Sequence, residues 1–477
     1  MATKKELVEA CSYSRRRLVA AFVSGAPGGH EAEPRRVGRT VVGGLALAVL
    51  LIAGAAVASV LTPQTPDDWN RVGLVVTRGD RPATYLILEE SAHPTLIPVI
   101  NLTSAQLILG ADVTATALDQ RLVDEQRPAI PIGIVGAPQT LPRSDAFIQT
   151  GWTACTADDV GVAVDLATDV KVEVAPGAGL IVRSADRLWL IATSSRREAR
   201  DRRTYRYPIA SAVDENLFVG YGLGALAEAL DVPPGWLALF PEGGEVGPQG
   251  FGVPLGRPAL DPPVPGAHVG DYVVGQGGGG AMVVDGGFQA LDPFALAVLQ
   301  SLRSRVNVVE LAAGLPASYL PSTYAASHWP DAALRPLDSQ PCAQLDVEPG
   351  RPPRAWLAGD PTGTAAVPEP DDADAIAVDG RRLSIQPGHG AFVQSGTWDQ
   401  TAGETPYVVD PLGRAYQLVG GSATLDKLHY DLGTAPQVPA EWIALFDPGV
   451  DLSISAALCP ADGGPDPPAP ERCWSPP

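Results

Sequence analysis

Two stretches of the chain, VPPGWLALFPEGGEV from Val232 and VPAEWIALFDPGVDL from Val438, place Trp236 over Trp442 at an offset of 206. A second pair, EVAPGAGLIVRSADRLWLI from Glu173 and SIQPGHGAFVQSGTWDQ from Ser384, matches Pro176-Gly177 with Pro387-Gly388 at an offset of 211. Two matches at nearly one offset read as the duplication of a half-chain, and self-similarity on this scale decides architecture before any single element is assigned. Within each half a smaller unit recurs: a strand, a variable loop, a second strand rich in Tyr, Val and Leu, and a short helical stretch. Its four copies begin near Val72, Val174, Ala267 and Ile385.

In the first copy LVV (Leu74 to Val76) and YLIL (Tyr85 to Leu88) read as strands, and TLIPVINLTSAQLILG then leads to a short helix ending at Gly110. In the third, Tyr272 to Val274 and Met282 to Val284 flank a Gly-rich hairpin loop; in the fourth, Asp410-Pro411-Leu412-Gly413 is a turn signal. The units are α+β and strand-rich, without the long amphipathic helices of a βαβ protein. The stretches Gly136-Ala137-Pro138 to Trp152 and Gly314-Leu315-Pro316 to Trp329 share a G-x-P, L-P, W order, which suggests a central piece built once from each half. The expected body, 62–459, is an elongated, quasi-twofold domain. Four small repeats near 72–125, 174–230, 265–312 and 380–435 surround central segments 126–173, 313–379 and 436–459. The tail, 460–477, is too rich in Pro to pack as an element and is expected to be mobile.

Charge sets this body apart from what precedes it. The 477 residues carry a formal net charge of −20, which argues against nucleic acid as a partner. Up to Thr40, however, eight basic residues face four acidic ones. Between the two parts Val41 to Leu61 reads VVGGLALAVLLIAGAAVASVL without a charge, enough as a helix to cross about 30 Å of hydrocarbon. Ala56 and Ala58 resemble a signal-peptidase site, but 40 residues precede an apolar run of membrane length, which favours an uncleaved single-pass anchor. The flanking arginines then put 1–40 in the cytoplasm and the acidic body outside. Thr3 and Glu6 form a capping box, and Leu7, Cys11, Leu18 and Phe22 recur at near-helical spacing, so a basic amphipathic helix is expected. Arg15, Arg16 and Arg17 on its polar side suit anionic lipid or a partner's inner domain, or serve only to set orientation. Gly25 to Pro34 reads as a tether.

On this topology Cys11 stays a thiol, while Cys155, Cys342, Cys459 and Cys473 lie where disulfides persist. Four cysteines allow three pairings. Cys155 and Cys342 each follow one of the G-x-P stretches, so a pseudo-twofold brings them together; Cys155 with Cys342 and Cys459 with Cys473 is the preferred set.

A search for chemistry returns little. No Walker A loop is present, and Lys171 and Lys427 are the only lysines of the body. There is no G-x-S-x-G elbow, and the six histidines form no H-E-x-x-H; His268 and His389, in equivalent repeat strands, read as structural. No catalytic residue, metal ligand or cofactor is assigned.

One signature does stand out. The basic amino-terminal segment, the apolar span, the P-V-x-N-x-x-S-A-x-L-x-L-G run (Pro98, Val99, Asn101, Ser104, Ala105, Leu107, Leu109, Gly110) and I-G-I-x-G-A-P-x-x-L-P (Ile132 to Pro142, with Gly136 and Pro138) together resemble the EccB family of type VII (ESX) secretion systems. The resemblance covers nearly the whole chain. It implies four repeats around a central domain, a disulfide at the positions of Cys155 and Cys342, oligomerisation in the outer compartment, and EccC, EccD, EccE and the mycosin protease as partners. The function expected is that of a structural membrane component of the secretion core, anchoring and oligomerising it. Because members of the family are sometimes labelled ATPases, an ATP-hydrolysing subunit is the alternative, with ATP as its cofactor. An envelope-binding module is a third reading.

Overall fold

The computed structural model describes residues 68–461 apart from 79–81, 127–128, 196–201, 276–279, 303–305, 312–315, 317, 322–328, 331–333, 362 and 364–374, together with 10, 13–15, 18 and 472–474. The chain divides into Met1–Gln64 and Thr65–Pro477. In the first part 13–15 are helical and exposed, Arg15 among them; Arg16, Arg17, the capping box and the 41–61 span lie outside the described residues. Among the described residues no helix is long and apolar enough to cross a membrane.

Within Thr65–Pro477 one topology recurs. The first unit comprises β1 (Gly73–Arg78), β2 (Thr84–Ile87), β3 (Ile97–Pro98), α1 (Leu102–Leu109) and β4 (Ala115–Asp119), followed by α2 (Gln120–Asp124). Three strands form an antiparallel meander, the helix crosses over, and β4 returns parallel to β1, giving the order β3-β2-β1-β4. The chain then supplies β5 (Trp152–Cys155), β6 (Val162–Leu166) and β7 (Glu173–Val174) to a separate sheet. The second unit follows as β8 (Ala178–Ser184), β9 (Arg187–Thr193), β10 (Thr204–Pro208), α3 (Asn216–Gly220) and β11 (Leu230–Asp231), in the order β10-β9-β8-β11 with β11 parallel to β8. Ala185 and Asp186, both at positive φ, make the tight reversal from β8 to β9. The Trp236 stretch comes next as α4 (Pro234–Leu237), with Pro in its first turn.

The third unit is β12 (Tyr272–Val274), β13 (Gly280–Val284), β14 (Gly287–Leu291) and α5 (Pro293–Ser301), with Val308 returning parallel to Tyr272. After β15 (Arg335–Pro336), which lies beside β8, the chain re-enters the separate sheet with β16 (Gln340–Asp346), β17 (Arg354–Asp360) and β18 (Arg381–Ile385). The fourth unit is β19 (Ala391–Gly396), β20 (Thr405–Val409), β21 (Arg414–Gln417), α6 (Ser422–Leu428) and β22 (Gln437–Pro439), with β22 parallel to β19. The Trp442 stretch forms α7 (Ala440–Ile443), then β23 (Asp447–Pro448) beside β21, and α8 (Ile454–Ala457) ends the body.

The separate sheet runs β18-β6-β5-β16-β17-β7. Its inner four strands are two hairpins joined antiparallel between β5 and β16. Its edges differ: β18 is parallel to β6, whereas β7 is antiparallel to β17. A twofold normal to the sheet would give both edges the same sense, so any symmetry is confined to the inner strands.

Apolar packing links the parts in the order first, fourth, central, second, third. One cluster joins Leu107 of α1 to Leu425 and Leu428 of α6. Another joins β5, β6, β16 and β17 to both tryptophan stretches, and a third joins the second and third units around Trp329.

Several expectations need correction. The sheet at the centre is narrower than the three expected central segments. The 132–142 stretch folds against the first unit, 437–439 completes the fourth unit's sheet, and Trp329 lies between the second and third units, away from Trp152. Val174 and Ile385, read as starts of repeats, belong to edge strands of the central sheet. His268 and His389 precede β12 and β19 rather than lying inside strands. The tail is not wholly unpacked: Trp474 lies against the first unit's core.

Candidate functional site

The residues that carry the family signature are used to join the chain to itself. Asn101 caps α1: its Oδ1 accepts from Ser104 N at 2.8 Å while its Nδ2 donates to Ile134 O at 2.9 Å. Ser104 Oγ accepts from Ile134 N at 2.9 Å, and Thr103 Oγ1 donates to Pro138 O at 2.7 Å. Asn101 and Ser104 are 5% and 0% exposed, so each unmade bond would orphan a buried polar group. Ala105 fills the core beside them, and Pro98 O accepts from Ile132 N at 2.9 Å. Gly133 sits at φ +130, and a Cβ there would meet Ile100 Cγ1 at 2.7 Å, so the close approach of the two motifs depends on glycine. Gly110 ends α1 at φ 114, and Gly136 turns the chain at φ +86. Pro142 O accepts from the Tyr430 hydroxyl at 2.5 Å, a joint to the fourth unit; burial pushes that phenol's pKa well up. The first and fourth units also meet at Ala111 N, which donates to Lys427 O at 2.7 Å.

The second joint is the central sheet. Cys155 and Cys342 stand directly opposite in the β5–β16 ladder and are bonded. They lie on one face with Val160, Val172, Ala358 and Ile376, while Trp152, Ala154, Ala343 and Leu345 point to the other. On that other face the duplicated stretches meet. Trp236 Nε1 donates to Ala154 O at 2.8 Å, and Trp442 Nε1 to Leu239 O at 3.1 Å. Trp152 stacks edge-on against Phe446 at 5.4 Å, as Trp236 does against Phe240. The second disulfide joins Cys459 to Cys473.

Among the described residues the cavities hold no nucleophile hydrogen-bonded to a base. One of about 400 Å³ is lined by Arg203, Asp346, Glu348, Arg351 and Arg354, but each arginine already faces a carboxylate: Arg354 with Asp346, Arg351 with Glu348 at 2.5 Å, and Arg203 with Asp399 at 2.5 Å. Burial opposes the charge on Arg203, yet Tyr205 and Asp399 hold its pKa above the usual value. Among the described residues no three His, Cys, Asp or Glu side chains are grouped to hold a metal. His429 approaches Asp112 at 3.5 Å, His268 approaches Asp271 at 3.8 Å, and His389 pairs with Pro387 O at 3.0 Å; the three are dispersed. Sequence reasoning missed Tyr430, Trp474 and the buried Asp410, which accepts from Leu412 N, Arg414 N and the Tyr416 hydroxyl. Only Asp410 carried a signal, as the first residue of a turn.

Comparison with known proteins agrees with these motifs. A family model described as "Type VII secretion system ESX-1, transport TM domain B" matches residues 1–466. The ESX-3 secretion system ATPase EccB3 of Mycobacterium tuberculosis is 26% identical over 90% of this chain and 84% of its own length. The ESX-1 secretion system ATPase EccB1 of Mycolicibacterium smegmatis is 26% identical over 92% and 91%. The fold is shared with a chain of an intact ESX-5 inner membrane complex (TM-score 0.56, 21% identity, covering 98% of this chain and 97% of that one). It is shared also with an EccB3 dimer from the ESX-3 core complex (TM-score 0.56, 20% identity, 81% and 99%). Matched by the family model from residue 1 to residue 466, the chain belongs to the EccB family of type VII secretion proteins.

Proposed function

We propose that this chain is a structural subunit of an ESX inner-membrane complex. Val41 to Leu61 anchors it as a single span, 1–40 lies in the cytoplasm with Arg15, Arg16 and Arg17 toward lipid or partner domains, and the acidic body is extracytoplasmic. The four units of shared topology are copies of one repeat, arranged around the disulfide-closed sheet. The body self-associates and contacts EccC, EccD, EccE and the mycosin protease. Anchoring many copies in one membrane raises their effective concentration, so weak interfaces suffice for assembly.

One observation carries this reading: the signature residues Asn101, Ser104, Gly133 and Pro142 are all committed to internal joints rather than to the wall of a cavity. Two assays test it. The purified full chain turns over no ATP above buffer; steady hydrolysis abolished by no contaminant control would favour the reading carried by the relatives' names. An impermeant thiol reagent applied to intact cells, after reduction and unfolding, labels Cys155 and Cys342 but not Cys11; the inverse pattern would reverse the topology.

A further inference from the structure

The two disulfides differ in their surroundings. Cys155 and Cys342 are 2% and 0% exposed and sit inside a ladder between strands. Cys459 is 8% exposed, whereas Cys473 is only half-buried and belongs to no strand or helix. Next to it, Trp474 donates its N–H to Leu458 O at 2.9 Å and packs against the first unit's cluster of Leu74, Leu86, Ile97, Val99 and Ala105. Around the bond, Cys459 O accepts from Gly133 N at 3.1 Å, and Ala461 N donates to Pro131 O at 2.9 Å. Cys459 and Ala461 are therefore bonded to 131–133, directly before the Ile134 that Asn101 and Ser104 hold.

We infer that Cys459–Cys473 is a thiol–disulfide exchange site, a clasp that a dithiol of the outer compartment opens and that, when closed, seats Trp474 on the first unit. The chemistry balances with the dithiol as the two-electron reductant. One of its thiolates attacks Cys473 Sγ, the bond to Cys459 breaks, and Cys459 leaves as a thiolate and takes a proton. The dithiol's second sulfur then displaces Cys473 as a thiol, and the reagent departs as a cyclic disulfide. An acceptor for the freed Cys459 thiol is in place, because its sulfur lies 3.1 Å from Ser455 O. Opening removes the tie that keeps Trp474 near its seat and uncovers apolar surface beside Ile132. The buried Cys155–Cys342 bond does not respond at the same reductant strength, since a thiolate must reach the sulfur in order to attack it.

The test uses the full chain in detergent, titrated with dithiothreitol under native conditions and trapped with iodoacetamide. Peptide mapping is expected to find Cys459 and Cys473 alkylated at reductant concentrations that leave Cys155–Cys342 closed. Hydrogen exchange at 96–100 and 131–134 then rises by about tenfold or more, while exchange at 152–155 is unchanged. The double variant C459A/C473A reproduces that rise without reductant. Trp474→Ala, with the bond still closed, does so as well, because it empties the seat. Simultaneous opening of both bonds, or unchanged exchange at 131–134 once Cys459–Cys473 is open or Trp474 is removed, overturns the proposal.

Discussion

The Trp236 and Trp442 stretches descend to the same short helix after the same returning strand, and both indoles are fully buried in one core, yet they hold different things. Trp236 bonds to Ala154 in β5, next to the cysteine that closes the central sheet. Trp442 bonds to Leu239, inside the other copy. Similar sequence thus makes two kinds of contact: one stretch bonds to the central sheet, and the other bonds to its counterpart. The edges of the central sheet differ in the same spirit, β18 parallel and β7 antiparallel to their neighbours. Stretches of one local shape thus differ in the contacts each finds.

Removing the disulfide of the central sheet has the largest expected effect. Cys155→Ala with Cys342→Ala opens a 187-residue separation and costs about 5 kcal/mol in the chain-entropy treatment, read as a lower denaturant midpoint. Trp236→Ala and Trp442→Ala each cost about 4 kcal/mol, the scale for emptying a buried aromatic site. The comparison predicts different places of local opening: hydrogen exchange rises first at 152–155 for Trp236→Ala and at 237–240 for Trp442→Ala. The same opening pattern from both variants would erase the distinction. Asn101→Ala removes a helix cap and orphans Ile134 O, a loss of about 2 kcal/mol, expected to loosen the joint at 132–134 while leaving both tryptophan joints intact.

The smallest effect is a pH limb to which the fourth unit contributes through Tyr416. Burial first, and then the charge of Asp410, raise the Tyr416 pKa from its ordinary 10 to about 12. The folded chain therefore keeps that proton longer than the unfolded chain does. Its contribution is complete below about pH 10 and is lost as pH climbs toward 12. Thermal unfolding followed from pH 9 to 11.5 should show that decline, and Tyr416→Phe should make it shallower, the remainder coming from Tyr430, Tyr207 and Tyr221, whose phenols burial also pushes up.

Sequence patterning made the strand-rich character, the Gly110 helix end and the choice of disulfides readable, because period-two strands and turn residues leave local traces. It did not reveal which strand joins which sheet. Val174 and Ile385 look like first strands of repeats because they run directly into β8 and β19, but a change of sheet at Pro176-Gly177 and Pro387-Gly388 leaves no periodic mark. The Gly314 to Trp329 match misled for a similar reason: order in sequence was kept while the site of burial moved to the second and third units. Trp474 escaped notice because a composition that forbids regular structure does not forbid one tethered aromatic residue from docking.

Assembly is the claim on which the functional account stands. The decisive measurement is the mass of the tagged full-length chain extracted from its own membranes in mild detergent, with co-purifying subunits identified by mass spectrometry. The account predicts a particle several times the monomer mass that contains several copies of this chain together with other ESX membrane subunits. A monodisperse single chain free of such subunits would contradict it.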